Sequence, residues 1–378
     1  MDAACPTAAP AGSSSLISET ACAGELPWRD ASRYFSLRPA AGGPGVWLFA
    51  RSGEWPDSDT RDVVVRRWAN CDVDLLASDA CRSSVMDITA KGDLNSENLA
   101  HNAAPAWHNG SLVLIGGRYN RAGHVFEAKN ATFLQRGVLL YEAKWEDAVH
   151  HAERLPRAWT KRLLLSPKTA VELGCIEERE HFRGTCQFDG HFSLVSGSGS
   201  GSDWLLYARA NIARGTNNGA GGRHVQMTRA PSPSGPWGGF RLLKFGTWNA
   251  TDPVRPEVNI YLPAVKRNPV DSRTLLGLFP YYDDVRAFIG LAMSCDGWQF
   301  SELEPFVPSS QGNGIRRISD HPVDGWLVRR DHVHFFVHQN VPGIAASGSR
   351  LIRYAVPMPA LREWTRKAMR AIPSCEQR

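Results

Sequence analysis

The sequence predicts an all-β chain made of five copies of one hairpin-based unit. Three observations carry that expectation. First strands of a recurring hairpin begin near Phe35, Asn102, Asp189, Glu257 and Asp324, at intervals of 67, 87, 68 and 67 residues. Each is followed by a second apolar strand: Trp47 to Arg51, Leu112 to Arg118, Trp204 to Arg209, Leu275 to Phe279 and Val333 to His338. Three of the five units also open on a carboxylate. Repetition around an axis protects the sheet edges that an open array would expose. The expected architecture is therefore a five-bladed β-propeller of four-stranded antiparallel blades, with the opening residues at the hub.

The elements follow in order. Residues 1–25 are mostly Ala, Ser, Pro and Gly and are expected to form a disordered tail. The folded domain is expected over 26–358. Blade one covers 35–85 and blade two 100–145. A short helical insertion, Trp145-Glu-Asp-Ala-Val-His-His-Ala-Glu-Arg154 within 145–160, accounts for the longer second interval. Blade three runs over 187–245 with a Gly/Ser turn at 196–202, blade four over 257–306, and blade five over 322–357. Blade five shows three strands, so a strand from residues 20–34 is expected to complete it and close the ring. Residues 359–378 are expected to be a basic, solvated terminal helix (Arg362, Arg366, Lys367) and a tail.

With 43% hydrophobic residues and 13 Trp in 378, the chain can bury a large core. A net charge of +5, spread along the chain, gives no nucleic-acid footprint, although it would favour acidic glycans. No apolar run reaches the roughly 18–20 residues of a membrane span, so no membrane partner is expected. The opening Met1-Asp-Ala-Ala-Cys-Pro6 lacks a secretory leader's cationic head and apolar middle. The compartment stays open, with a secretory route allowed if the N-terminus is incomplete. None of the eight cysteines forms a metal-type CxxC pair. Cys71/Cys81 and Cys175/Cys186 are spaced to close a short loop each under oxidising conditions. Glycosylation triplets occur at Asn109, Asn130 and Asn249, a number close to chance.

At Gln187-Phe-Asp-Gly-His-Phe-Ser-Leu-Val195, Tyr207-Ala-Arg-Ala-Asn211, Gly221-Gly-Arg-His-Val-Gln226 and Glu257-Val-Asn-Ile-Tyr-Leu-Pro-Ala-Val265, the chain resembles the five-bladed β-propeller glycoside hydrolases. These include the family 43 arabinosidases and xylosidases, the family 32 invertases and the family 130 mannoside phosphorylases. The resemblance spans about residues 30–357 and rests on blade pattern more than on long motifs. In family 43, successive blades supply an aspartate base, an orienting aspartate and a glutamate acid. The resemblance implies that Asp189 matches the orienting aspartate and Glu257 the acid. At the base position stand His101 and Asn102, and an asparagine cannot accept a proton from water. That departure puts simple inverting hydrolysis in doubt.

Glycosidic cleavage needs one carboxylic acid to protonate the leaving oxygen and a second group to supply the nucleophile. Glu257 is the candidate acid, and a neighbouring ionised Asp189 or Asp324 would keep it protonated. Its structural alternative is pairing with Arg255 or capping a strand. Asp189 precedes Gly190 and reads equally as a turn. Asp320 and Asp324 flank a proline; either is a candidate for the missing base, or both belong to a structural turn. Arg51, Arg118 and Arg209 end equivalent second strands. They are candidates for an anionic ligand, which a guanidinium fork binds bidentately, or for bridges between blades. His101, Asn102, Tyr261 and His338 complete the candidate sugar contacts. His332, His334 and His338 alternate on one strand, but no further ligand is signalled, so neither a metal nor a cofactor is expected.

The expected function is that of a monomeric glycoside hydrolase acting on the terminal sugar of an oligo- or polysaccharide, with an anionic ligand indicated if the arginines converge. Two alternatives stand: a phosphorylase, which needs an acid but no base, and a non-catalytic carbohydrate-binding propeller.

Overall fold

A computed structural model describes residues 21–26, 33–39, 45–51, 63–69, 85–87, 104–117, 137–144, 160–178, 186, 188, 190–197, 203–212, 222–246, 248–249, 258–283, 285–310, 320–341 and 349–376. Strand β1 (Ala21–Leu26) comes first in the chain. The first sheet then runs in chain order through β2 (Arg33–Pro39), β3 (Gly45–Arg51), β4 (Val63–Ala69) and β5 (Val85–Asp87). The second is β6 (Ala104–His108), β7 (Ser111–Gly117), β8 (Val138–Lys144) and β9 (Thr160–Leu165), followed by helix α1 (Pro167–Glu172). The third is β10 (Ser193–Val195), β11 (Trp204–Ile212), β12 (Gly222–Ala230) and β13 (Arg241–Leu242).

The fourth sheet holds β14 (Lys244–Phe245), β15 (Trp248–Asn249), β16 (Asn259–Ile260), β17 (Ala264–Asn268), β18 (Asp271–Tyr282), β19 (Ala287–Ser294), β20 (Gln299–Phe300) and β21 (Glu304–Pro308). The fifth holds β22 (His321–Pro322), β23 (Leu327–Arg329), β24 (His332–Gln339) and β25 (Arg350–Pro357), with β1 added antiparallel to β25. Two helices close the chain, α2 (Met358–Met369) and α3 (Pro373–Glu376).

Three sheets thus have four described strands, while the fifth has five and the fourth has eight. The larger counts have a local cause. Both β16 and β17 pair with the same edge of β18, and Leu262 at φ 47° breaks the backbone between them. In the fifth sheet, β22 and β23 likewise share one edge of β24. The β14–β15 hairpin joins the fourth sheet through a parallel pairing of β14 with β20.

The sheets follow one another in a closed circuit. β2 touches β6, β6 touches β10, β10 touches β17 and β18 touches β22. The fifth sheet returns to the first where Ser36 bridges Asp324 and the Leu37 amide donates to the Asp324 carbonyl at 3.1 Å. Apolar cores lie between successive sheets. One joins Ile115, Leu140, Phe188 and Leu206 of the second and third sheets, with Ala170 of α1. Another joins Tyr207 and Val225 of the third sheet to Phe245, Phe279 and Phe300 of the fourth, whose rings meet 5.0 to 5.7 Å apart. A third joins the fourth and fifth sheets to α2. A sheet covered on both faces reads as a continuous apolar run, and β11 (Trp-Leu-Leu-Tyr-Ala-Arg-Ala-Asn-Ile) is buried throughout.

Three expectations need correcting. The tail predicted over 1–25 stops short, because β1 begins at Ala21 and supplies the strand that blade five lacked. The terminal helix is not simply solvated. Its Leu361, Trp364, Thr365 and Ala368 are buried, it contacts β19 and β25, and Cys375 is bonded to Cys295. Arg209 does not end its strand, since β11 continues to Ile212. The helical insertion at 145–160 and Cys71/Cys81 fall outside the described residues, apart from Thr160, which opens β9. Cys175 and Cys186 do form a disulfide.

Candidate functional site

Where the five sheets converge lies a buried ion cluster. The Asp324 carboxyl has no solvent exposure. Arg38 Nη2 donates to its Oδ2 at 2.9 Å, and Lys266 Nζ approaches its Oδ1 at 2.6 Å. Ser193 Oγ lies 2.6 Å from the same Oδ1 and accepts from the Val265 amide. Arg38 also donates through Nη1 to the carbonyls of Leu37 and Asp324, both at 2.7 Å, and through Nε to the Pro105 carbonyl at 2.8 Å. Arg38 is on β2, Pro105 on β6, Ser193 on β10 and Lys266 on β17, while Asp324 sits between β22 and β23. One network therefore takes a residue from every sheet.

Burial by itself would raise the Asp324 pKa, but Lys266 and Arg38 outweigh it and hold the carboxyl below its ordinary range. Lys266 is drawn down to about 7 by its burial and by the Arg38 guanidinium, against the pull of Asp324. Next to them, His191 is pulled to about 4, mainly by burial, and stands neutral at ordinary pH. Its Nε2 shares a hydrogen bond of 2.8 Å with Ser36 Oγ of the first sheet.

Near the same hub, Tyr261 is 4% exposed. The Arg223 guanidinium lies 4.7 Å from its ring centroid and that of Arg209 lies 5.9 Å away. His321 meets its ring edge-on at 5.7 Å. The Arg223 amide also donates to Asn259 Oδ1 at 2.9 Å. Two candidates from the sequence, Arg209 and Tyr261, are thus brought together with Arg223 and His321. His338 pairs across the ladder with His321, and its Nε2 hydrogen-bonds Ser349 Oγ.

The two aspartates considered for the missing base are both occupied. Asp320 is fully buried, and it accepts from the Ser310 amide and hydroxyl at 2.6 Å each and from the Asn340 amide at 3.1 Å. Asp324 is the anion of the ion cluster. Both carboxylates are buried, and each of their oxygens has a hydrogen-bonding or ionic partner. Glu257, Asp189, His101, Asn102 and Arg118 lie outside the described residues, and Arg51 is described only as the last residue of β3, opposite Arg33 and Val63. Among the described residues no three His, Cys, Asp or Glu side chains gather as a metal would require.

Arg38, His191, Ser193, Arg223 and Lys266 were not among the candidates that the sequence pattern singled out. The one available signal was a cation inside an apolar first strand, in Phe35-Ser-Leu-Arg38 and in Ala264-Val-Lys266, with an opposite charge in another unit.

No protein-family model matches the chain, and no curated protein matches it. Solved structures do. The GH43_1 enzyme from Xanthomonas citri complexed with xylose aligns at 12% identity over 89% of each chain, with a TM-score of 0.50. A thermostable family-43 glycoside hydrolase aligns at 11% identity over 86% of this chain and 89% of its own, with a TM-score of 0.49. The α-L-arabinanase of Cellvibrio cellulosa aligns at 12% identity over 71% and 76%, with a TM-score of 0.42. The likeness to the Xanthomonas enzyme is one of fold: the chain is mostly β and shares the β-propeller fold of family 43 glycoside hydrolases.

Proposed function

We propose that the chain is a five-bladed propeller glycoside hydrolase that cleaves a terminal sugar from an oligo- or polysaccharide held at the axial end where the first strands begin. Glu257 is the proton donor and Asp189 the carboxylate that orients it. Asp320 and Asp324 are left out of the proton chemistry because their oxygens already accept hydrogen bonds. The observation that supports the reading is the meeting of the third and fourth sheets at the hub, where Ser193 Oγ donates to the Val265 carbonyl at 2.8 Å and accepts from the Val265 amide at 3.0 Å. Ser193 follows Asp189 by four residues and Val265 follows Glu257 by eight, a spacing that supports placing the two carboxylates near one axis. Proximity of two carboxyl groups across an axis is what glycosidic cleavage demands.

The test is turnover of a panel of aryl glycosides by the full chain and by Glu257→Gln. Loss of turnover in a variant with unchanged circular dichroism is the expected result. Turnover equal to that of the parent overturns the reading, as does glycan affinity without any product.

A second reading is favoured by the two guanidinium groups that converge on Tyr261, together with the engagement of both candidate bases. A phosphorylase needs bound phosphate as nucleophile and no protein base, and Arg is the side chain best shaped to hold phosphate. Phosphate-dependent turnover that yields a sugar 1-phosphate selects this reading. Turnover indifferent to phosphate selects hydrolysis.

A further inference from the structure

We propose that Asn109 carries an N-linked oligosaccharide and that the chain folds in an oxidising, secretory compartment. The inference does not depend on the proposed function. Asn109-Gly110-Ser111 is an acceptor triplet, and the structure sets it in the two-residue turn between β6 and β7. Asn109 and Gly110 have φ of 46° and 74°, the left-handed pair that such a hairpin turn requires. Both are exposed, and a side-chain atom built on Gly110 would meet nothing within 4 Å, so the space around the turn is open. Asn109 Nδ2 lies 3.2 Å from His108 Nε2, an exposed contact that a substituted amide can keep with its remaining N–H.

The turn explains the asparagine and the glycine, but it does not explain the serine. Ser111 is 7% exposed at a strand position opposite His108, and its hydroxyl makes no hydrogen bond among the described residues. A hydroxyl with no part in the fold is the group that the glycosylation triplet requires. The cysteines point independently to the same compartment. Cys175–Cys186 and Cys295–Cys375 are both bonded, no described cysteine is free, and such bonds persist where the surroundings are oxidising. Of the other two triplets, Asn130 lies outside the described residues and the side chain of Asn249 is not described.

The step transfers a preassembled oligosaccharide from a lipid pyrophosphate carrier. A bond forms between Asn109 Nδ2 and the first sugar carbon, the bond from that carbon to the pyrophosphate oxygen breaks, and the amide gives up one proton. Because Ser111 is buried in the folded protein, transfer precedes folding of the second sheet. The turn lies at the far end of β6 from the strand onset, so the glycan leaves the proposed sugar site uncovered.

Two measurements decide the matter. Peptide mass spectrometry on the full chain purified from the cells that make it is expected to find an N-glycosidase-sensitive glycan at Asn109. An unmodified Asn109 peptide in that material overturns the proposal. In eukaryotic cells, with the full chain placed behind a cleavable secretory leader, Ser111→Thr is expected to keep the glycan at this site. Ser111→Ala is expected to lose it completely while the protein is still secreted with the parent's circular dichroism. A glycan that persists at Asn109 in Ser111→Ala overturns the assignment of the hydroxyl.

Discussion

Lys266 Nζ lies 2.6 Å from Asp324 Oδ1, tying the fourth sheet to the fifth at a carboxyl that has no exposure to solvent. Closure of a circular array is usually attributed to the strand that pairs the chain's two ends, and β1 does pair with β25 here. The ion cluster adds a second closure at the axis, since Arg38 reaches the same carboxyl from the first sheet. A buried ion pair adds little over well-packed apolar groups, but removing one partner leaves the other buried and uncompensated.

Asp324→Asn keeps the shape of the side chain and removes its charge, leaving Arg38 and Lys266 facing each other. The expected cost is about 3–5 kcal/mol. Denaturant unfolding at neutral pH measures it. A midpoint within error of the parent's would mean that the two cations find other anions.

The two charges of this pair give pH signatures of the same sign in separate windows. Asp324 has a folded pKa below its unfolded one, so its contribution is present above the ordinary carboxylate range and is lost as acid protonates the folded group. Lys266 also has a folded pKa below its unfolded one, about 7 against 10.5. For a lysine this is a cost carried by the charged form. Between those two values the unfolded chain binds more protons, so stability rises with pH across that window. Urea midpoints from pH 7 to pH 9 are expected to climb in the parent and to climb less in Lys266→Met. Equal slopes would refute the assignment.

Gly325 follows Asp324 at φ 134°, a region that other residues rarely adopt. A Cβ there would lie 2.3 Å from the Leu37 carbonyl oxygen and 2.8 Å from Arg38 Nη1. Gly325→Ala therefore strains the backbone and pushes on the cation that binds the first, second and fifth sheets. Strain and overpacking each cost roughly 1–3 kcal/mol. A drop of at least about 2 kcal/mol in unfolding free energy is expected, and a neutral alanine would show that β2 and the fifth sheet separate easily.

Much of this architecture is legible in local pattern. The run Trp204 to Ile212 is apolar enough to read as a doubly covered strand, and Asn109-Gly110 reads as a hairpin turn. The need for a strand from residues 20–34 follows from counting three strands in the last unit, and Ala21–Leu26 supplies it. The ion cluster is another matter. Arg38 and Asp324 are 286 residues apart, and Lys266 stands at a different offset from the start of its unit than Arg38 does. Only ring closure makes them neighbours, and no local rule encodes it. The roles of Asp320 and Asp324 were similarly hidden, because a carboxylate in a turn looks the same in sequence whether its oxygens face water or the amides of Ser310 and Asn340.

Cys295 and Cys375 join the fourth sheet to the segment after α2 across 80 residues of chain. Removing a bond that closes a long loop costs about 2–4 kcal/mol, chiefly by freeing the unfolded chain. Cys375→Ser is expected to lower the melting temperature by several degrees and to expose Trp364, which is 3% exposed in the intact fold. Thermal unfolding followed by tryptophan fluorescence reads both effects. An unchanged transition would mean that the α2 packing alone holds the terminus.

Structure and catalysis can be separated at Asp320. Its carboxylate accepts from the Ser310 amide and hydroxyl and from the Asn340 amide, which pins the approach to β22 against the end of β24. Charged acceptors contribute about 1.5–3 kcal/mol per hydrogen bond, so Asp320→Ala is expected to destabilise the protein by at least about 2 kcal/mol. Turnover per folded molecule at low temperature is expected to stay within about threefold of the parent, whereas loss of a general base costs roughly a hundredfold or more. Comparing kcat for Asp320→Ala with that for Glu257→Gln, on protein shown to be folded, makes the distinction. A hundredfold loss at Asp320 without a change in KM would return this residue to the chemistry, because a purely structural carboxylate has no means of slowing the chemical step in molecules that remain folded.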